Sequence, residues 1–230
     1  MSAREPSPEE LNAGAAALAA LATAAARHQL FVSGTLPVRA EDGLAEGIQS
    51  LALLSPAEPG FWPHLTATQE FADGKPDPID RWSRRVIGKL ACDLGGKAYF
   101  PFGGPPYRPF IGWALRSGRV WASPVSLLIS AEMGLFTSFR GAVGLRQPLP
   151  APEPRTSPCT GCTAPCRSAC PVSALGPEGY DVAACHGHLN TPEGNACLSA
   201  GCRARRACPF SETYGRLPEQ SAWHMRHFHT

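Results

Sequence analysis

Eight of the nine cysteines lie between residues 159 and 208, at spacings that suit ligands of a metal centre. The first four read C-x2-C-x3-C-x3-C-P, and the last three read C-x4-C-x5-C-P. They are Cys159, Cys162, Cys166, Cys170, Cys185, Cys197, Cys202 and Cys208. Thiolates bind both zinc and iron–sulfur clusters. Eight thiols are the number that two four-iron clusters need, so the pattern favours one-electron chemistry.

Zinc and disulfides are the alternatives to iron and sulfur. Structural zinc often takes two C-x2-C pairs, but only Cys159 and Cys162 are spaced in that way. The N-terminal alanine run follows Glu9 and Glu10 and has no basic segment before it, so it is expected to be a helix capped by Ser7 and not a signal peptide. A cytoplasmic protein is therefore expected. In that compartment clustered thiols bind metals more often than they form disulfides.

The cysteine row resembles that of two-cluster bacterial ferredoxins, in which the fourth cysteine serves the other cluster. The resemblance implies that Cys159, Cys162, Cys166 and Cys208 bind one cluster, and that Cys170, Cys185, Cys197 and Cys202 bind the second. The segments CTGCTAPCRSACPVSAL, YDVAACHGHLNTPEG and CRARRACPF also resemble the cluster region of epoxyqueuosine reductases. Cys92 lies outside the row and is expected to be a buried thiol.

Four other features near the cysteines invite a simpler interpretation. His186 and His188 flank Cys185 and are expected to cover or tune a cluster, because eight thiols already satisfy two clusters. The tail Trp223–His229 is expected to be solvated, with Trp223 and Phe228 packed on the domain. The run Arg203–Arg206 is expected to be a solvated helix face.

Three segments before the cysteines have unusual composition. They are 77–82 (DPIDRW), 100–107 (FPFGGPPY) and 134–143 (GLFTSFRGAV). Singly, they read as a helix start, a tight turn and a buried strand. In this order, together with LALLSP and GGKAYF, they resemble the cobalamin-trafficking family that is affected in the C type of combined methylmalonic aciduria and homocystinuria.

That resemblance implies a flavin-reductase-like (nitroreductase-type) α/β sandwich with a cavity for base-off cobalamin. The pocket residues that it implies are Phe102, Gly103, Gly104, Pro105, Tyr107 and Arg140. Asp93 stands where the family has a histidine, and Ser130-Ala131 replaces a His-Pro pair. These departures argue against glutathione-dependent dealkylation.

The elements that position these residues indicate an α+β protein. Helices are expected at 8–28, 80–94 and 125–133, and strands at 29–35, 48–54, 97–102, 120–122 and 139–145. The expected domains are the sandwich (1–147), a proline-rich linker (148–156), and a ferredoxin-like iron–sulfur domain with the tail (157–230).

The sequence thus predicts a cytoplasmic iron–sulfur oxidoreductase that binds cobalamin and reduces its cobalt, removing the upper ligand and forming cob(II)alamin. Its expected electron donor is a flavoprotein or a ferredoxin reductase. The alternatives are a flavin- (FMN) or corrinoid-dependent reductase of an organic substrate, as in epoxyqueuosine reductase, and a non-enzymatic electron carrier or corrinoid-delivery protein. The net charge of +2 and the scattered basic residues do not favour nucleic acid, and no apolar run is long enough for a membrane span.

Overall fold

The chain divides into two compact units, and the first is discontinuous in sequence. The structure, a computed structural model, describes residues 5–150, 153 and 155–229. The first unit is Met1–Arg119 with Ser138–Pro154, and the second is Val120–Thr137 with Arg155–Thr230. This division differs from the predicted boundary at residue 147, because the segment 120–137 packs with the cysteine region.

The first unit combines one antiparallel sheet with five helices among its described residues. Its helices are α1 Pro8–Ala26, α2 Phe61–Thr66, α3 Gln69–Ala72, α4 Pro78–Asp93 and α5 Phe110–Arg116. Its strands are β1 Leu30–Pro37, β2 Ser50–Pro56, β3 Lys97–Tyr99 and, later in the chain, β6 Gly141–Leu145. The sheet order is β1-β2-β6-β3, and each neighbouring pair is antiparallel.

The two central strands of this sheet form the middle of the first core. Every residue of β2 and β6 is buried, which explains their short, continuous apolar sequences. Leu51 pairs with Gly144, and Leu53 pairs with Ala142. The small residues of β6 leave room for Tyr99 and Ile87, whose side chains approach the α-carbons of Gly144 and Gly141.

Helix α4 covers this core with one apolar face. Its buried residues recur at helical spacing: Ile79, Trp82, Ser83, Val86, Ile87, Leu90 and Ala91. The expected helix at 80–94 is therefore confirmed, and it begins two residues earlier because Pro78 fits the first turn. Cys92 falls outside the buried face and is exposed, so the expectation of a buried thiol was wrong.

A buried carboxylate anchors helix α5, which follows the loop 100–107. The Asp42 side chain is 2% exposed. Trp113 Nε1 and Arg116 Nη1 donate to Asp42 Oδ1 at 2.9 and 2.6 Å, and the backbone N–H of Arg39 donates to Oδ2 at 2.7 Å. Burial alone raises the pKa of Asp42, but the bonds from Arg116, Arg39 and Trp113 outweigh it and hold that pKa below its usual value.

The second unit consists of short elements. Its strands are β4 Val120–Ala122, β5 Leu128–Ser130, β7 Leu175–Gly176 and β8 Gly179–Tyr180, and its helices are α6 Val182–Leu189, α7 Asn195–Ala200, α8 Arg203–Arg206, α9 Pro209–Glu212 and α10 Pro218–His229. The strands form two hairpins, β4 with β5 and β7 with β8. Helix α10 packs against α7. The expected solvated tail is therefore a helix, with Trp223 partly buried and Phe228 36% exposed.

The expected helix at 125–133 was wrong, because β5 lies there. The Ser123 hydroxyl accepts the backbone N–H groups of Val125 (3.4 Å) and Leu127 (3.3 Å), which turns the chain back on itself. Ser126 has φ of 56°, a left-handed value that interrupts a helix. The apolar residues of this segment therefore lie on a β-hairpin, and Val125 and Ile129 pack into the same core.

Most other elements lie where the sequence predicts, with shifted ends. Helix α1 begins with the expected capping box, in which Ser7 and Glu10 bond each other's backbone N–H. It ends at Ala26. Strand β3 ends at Tyr99, two residues before Pro101, which has no N–H to donate to a sheet. None of the described helices is long and apolar enough to cross a membrane.

The predicted linker is ordered where the structure describes it. Pro148 packs so closely on α1 that a β-carbon on Gly14 would overlap its carbonyl group. At the other end Arg155 pairs with Glu132 at 3.1 Å, within the second unit. Ala151, Pro152 and Pro154 of the linker lie outside the described residues.

Candidate metal centre

The eight cysteines of the row lie on turns and short helices of the second unit. Cys166 lies in the 3-10 turn Pro165–Arg167, Cys185 in α6 and Cys197 in α7. Cys202 and Cys208 immediately precede α8 and α9. Because each cysteine is close to a helix end or a turn, the chain can present thiols from several directions to a common point.

A first group of four thiols combines the start of the row with its last member. Burial raises the pKa of Cys166, and the nearby charges of Cys208, Cys159 and Cys162 raise it further. Burial also raises the pKa of Cys159, where a hydrogen bond from Ser157 opposes the rise and the charges of Cys162 and Cys208 add to it. Cys208 therefore lies with the cysteines nearest the start of the row.

This first group is part of an apolar core. Cys166 and Cys208 are 6% and 4% exposed. The buried residues packed with them are Val125, Ile129, Leu135, Leu175 and Ala204. The hairpin β4–β5 and Leu135 thus cover the first group, which is the physical reason that 120–137 belongs to the second unit.

A second group contains the other four thiols, which line one cavity. Cys170, Cys185, Cys197 and Cys202 share this cavity with Tyr180 and His188. Burial raises the pKa of Cys185, a hydrogen bond from Tyr180 opposes the rise, and the charges of Cys202, Cys170 and Cys197 add to it. Every cysteine of the row therefore belongs to one of two sets of four.

Backbone groups also point at the sulfurs. The N–H of Ala164 donates to Cys162 Sγ at 3.4 Å, and the N–H of Ala174 donates to Cys170 Sγ at 3.3 Å. No disulfide joins any of the nine cysteines. Such N–H···S bonds favour the thiolate form, which is the form that binds metal.

Each set of four thiols fits a four-iron cluster by the chemistry of its donors. Within the described residues, no three His, Cys, Asp or Glu side chains are close enough to hold a single ion. The four thiolates of a four-iron cluster each bind a different iron, so they do not have to converge on one ion. Four soft thiolates with sulfur-directed N–H groups match the requirements of such a cluster.

The two histidines beside Cys185 differ in their surroundings. His188 lines the cavity of the second group. His186 packs edge-on against Phe228, with ring centroids 4.6 Å apart, and lies 5.2 Å from the His229 ring. The Nε2 atoms of His186 and His188 are buried and make no hydrogen bond within the described part of the chain. His188 is therefore the one placed to face a group held by the second set of thiols.

The expected cobalamin-pocket residues lie in the first unit, and two of them, Arg140 and Phe102, lie beside the first half of α4. Arg140 Nη1 is 3.9 Å from Asp80 Oδ1, and Arg84 lies 5.1 Å above the ring of Phe102. Burial raises the pKa of Asp80, although the positive charge of Arg140 opposes the rise. The segment 103–107 is exposed, including Gly103, Gly104, Pro105 and Tyr107, and the Tyr107 side chain is 67% exposed.

Two residues beside the cysteine groups were not singled out by the sequence. Tyr180 lines the same cavity as Cys185, and Arg205 lies on α8 and donates to the carbonyl of Leu135. Arg203 and Arg206 are exposed, as expected for a solvated helix face, but Arg205 is partly buried. In the sequence, the position of Arg205 between two expected ligands, Cys202 and Cys208, is the feature that could have singled it out.

Neither the protein-family models, nor the curated proteins, nor the solved structures include a significant match to this chain.

Proposed function

We propose that this chain is an iron–sulfur reductase that holds two four-iron clusters in its second unit and acts on cobalamin bound by its first. The observation that carries the proposal is the placement of the cysteines: Cys208 shares a core with Cys166, with Cys159 packed against it, and Cys170, Cys185, Cys197 and Cys202 line one cavity. Exchange of the last ligand between sets is the pattern of two-cluster ferredoxins. When bound, two such clusters supply one-electron transfer.

The protein's own residues prepare the thiols for this role. In the first set Cys166 and Cys208 are buried, so these two thiols are shielded from water. The N–H groups of Ala164 and Ala174 stabilise negative charge on sulfur. Thiolate ligands persist in a reducing compartment, which supports a cytoplasmic location.

The proposed fold of the first unit is the flavin-reductase-like sandwich, and that of the second is ferredoxin-like. The four-stranded antiparallel sheet with α4 against it supports the former. The cobalamin part of the proposal depends on the resemblance of 77–82, 100–107 and 134–143 to the cobalamin-trafficking family. It is supported by the approach of Arg140 and Phe102 to neighbouring turns of α4. The proposed electron donor is a flavoprotein or a ferredoxin reductase.

An anaerobic titration tests this function. Protein purified without oxygen should contain about eight irons per chain. Hydroxocobalamin should change its visible spectrum on binding, and dithionite-reduced protein should convert bound hydroxo- or cyanocobalamin to cob(II)alamin. Arg140→Ala should weaken cobalamin binding about tenfold, since it removes one charged contact. Arg146→Ala removes an exposed arginine of the same unit and should leave binding unchanged.

The other outcomes identify the alternatives. Stoichiometric zinc would exclude the iron proposal. A bound yellow flavin with no response to either cobalamin would favour a reductase of an organic substrate. Cobalamin binding without formation of cob(II)alamin would favour a delivery role.

A further inference from the structure

Helix α6 presents one face to the cavity of the second cysteine group. Cys185, His188 and Leu189 all line that cavity. Their spacing of three and four residues places their side chains on one face of a helix. Leu189 is 3% exposed, so this face is turned into the unit and away from solvent. The helix therefore directs the His188 ring toward the same space as the Cys185 thiol.

Hydrogen bonds fix both ends of α6. Asp181 Oδ1 accepts the backbone N–H of Ala184 at 2.9 Å and caps the start of the helix. At the other end, the His188 carbonyl accepts the Thr191 N–H at 3.0 Å and the Thr191 hydroxyl at 2.9 Å. A β-carbon on Gly194 would overlap the same carbonyl, so the next turn packs directly against it. The main chain of His188 is therefore held in place.

The His188 ring has a buried nitrogen that the protein leaves unpaired. Among the described residues, Nε2 of His188 has no hydrogen-bond partner. Buried polar atoms nearly always have a partner, so an unpaired one at a cavity indicates a group that the cavity holds. Four thiols line the same cavity, and the rest of the lining is largely apolar. A cluster held by those thiols is therefore the partner that the cavity provides for.

His186 offers a comparison on the same helix. It follows Cys185 directly, so it lies about 100° around the helix from that thiol, and it is not among the residues that line the cavity. Its ring packs instead against Phe228 and His229 of α10. Its Nε2 is also buried without a partner among the described residues. The position at the cavity, and not the missing partner alone, distinguishes His188.

The donor set favours a hydrogen bond from His188 over a bond to iron. Four thiols already supply one ligand for each iron of a four-iron cluster. A neutral imidazole has one N–H that can donate to sulfur. Such a donor stabilises the negative charge that an added electron brings, so it raises the reduction potential. No histidine is among the described residues that form the core around Cys166 and Cys208.

We propose that His188 donates its Nε2 hydrogen to the cluster held by Cys170, Cys185, Cys197 and Cys202, and that it raises the reduction potential of this cluster alone. The inference rests on the proposed function, since it requires a cluster at the second group. One electron comes from an external reductant, dithionite in the test. The hydrogen stays on Nε2, and no bond is broken.

Pulsed electron paramagnetic resonance on anaerobic, dithionite-reduced protein with ¹⁵N-labelled histidine tests the contact. Cys159→Ser removes a ligand of the first cluster, and the second cluster that remains should show a weak ¹⁵N coupling. Cys197→Ser keeps the first cluster instead and should show none. Added to Cys159→Ser, His188→Phe should abolish the coupling. His186→Phe is the matched control, because it keeps an aromatic ring beside Phe228, and it should retain the coupling.

A redox titration of the same variants measures the consequence. In the Cys159→Ser background, His188→Phe should lower the ratio of reduced to oxidised cluster about tenfold at a fixed potential, which is a shift of about 59 mV for one electron. His188→Gln keeps an N–H donor and should restore part of the potential. His186→Phe should leave the potential unchanged.

The ¹⁵N measurement remains informative if His188→Phe loses iron, because the coupling is measured with His188 in place. A strong ¹⁵N coupling, as from a nitrogen bound to iron, would overturn this inference alone. So would loss of the coupling in His186→Phe, its absence in protein with full iron, or an unchanged potential in His188→Phe that keeps its second cluster. Wild-type iron well below about eight per chain would overturn the proposed function and the inference with it.

Discussion

At the scale of single residues, the partnership of Cys208 is the central feature. It is the last cysteine of the chain, and it packs in one core with Cys166 and Cys159 from the start of the row. This pairing is long-range, so spacing alone could not show it. The resemblance to ferredoxins predicts that these cysteines serve one cluster, and the iron content of cysteine variants tests that prediction.

The pairing predicts which cysteine variants are equivalent. Cys208→Ser and Cys159→Ser should each lose about half the iron, because each removes a ligand from the same cluster. The double variant should lose no more than either single variant. Cys208→Ser combined with Cys197→Ser should lose nearly all of it. Iron analysis after anaerobic purification measures these values.

Cys92→Ser is the matched control for this series. Cys92 is exposed on α4 in the first unit, so its variant should keep all its iron. Additive loss from Cys208→Ser and Cys159→Ser would mean that the two thiols serve different sites, contrary to the proposed pairing.

At the scale of elements, the segment 134–145 has two separate structural roles. Leu135 N–H donates to the Ser211 hydroxyl at 2.9 Å, and Leu135 O accepts from Arg205, so the start of the segment holds α8 and α9. The end of the segment is the buried central strand β6. From the sequence, residues 134–143 read as one buried strand. In the structure, the boundary between the two units falls inside that segment, between Thr137 and Ser138.

Gly134 should be essential for holding α9. It has φ of 55°, and a β-carbon there would overlap the backbone nitrogen of Ser211. Gly134→Ala should therefore destabilise the second unit by about 2–4 kcal/mol, from the left-handed conformation and the overlap together. Loss of iron from the first site and a lower unfolding temperature should accompany it.

Gly187→Ala is the matched control for this variant. Gly187 lies in α6 of the same unit, and a β-carbon there would meet no atom within 4 Å. Alanine should stabilise this helix slightly, by about 0.5–1 kcal/mol. Equal destabilisation by both variants would show that the close approach of Gly134 to Ser211 is unimportant.

At the scale of the whole molecule, the chain builds two cores in an interleaved order. The segment 120–137 interrupts the first unit in sequence and belongs to the unit of the cysteines. Strand β6, which follows it in the chain, belongs to the first unit again. Val125 and Ile129 pack with Cys166 and Cys208, so this segment should depend on the metal centre although it contains no cysteine.

Removal of iron should therefore affect two separate stretches of sequence together. In hydrogen–deuterium exchange, residues 120–137 should lose protection of their amide groups along with residues 155–229. The reason is that thiols without bound iron destabilise the core that the two stretches share. Residues 141–145 and α4 should stay protected, and reconstitution with iron and sulfide should restore the lost protection. Retained protection of 120–137 after iron removal would contradict the division into these units.

The sequence determined much of the local structure and the composition of the site. Local periodicity predicted α1, α4 and the buried strands, because their signals depend on neighbouring residues. It also identified the eight thiols. It failed at 125–133, where Ser123 and Ser126 form a turn and the apolar spacing also suits a helix.

Only the tertiary structure decided how those parts are joined. The cysteines fall into two sets because turns and short helices bring Cys208 back to the start of the row. Arg205 differs from its solvated neighbours because it is partly buried and donates to the Leu135 carbonyl. Segment 120–137 belongs with the cysteines because its apolar side chains complete their core. Each of these facts depends on contacts between residues that are distant in sequence, which local spacing does not encode.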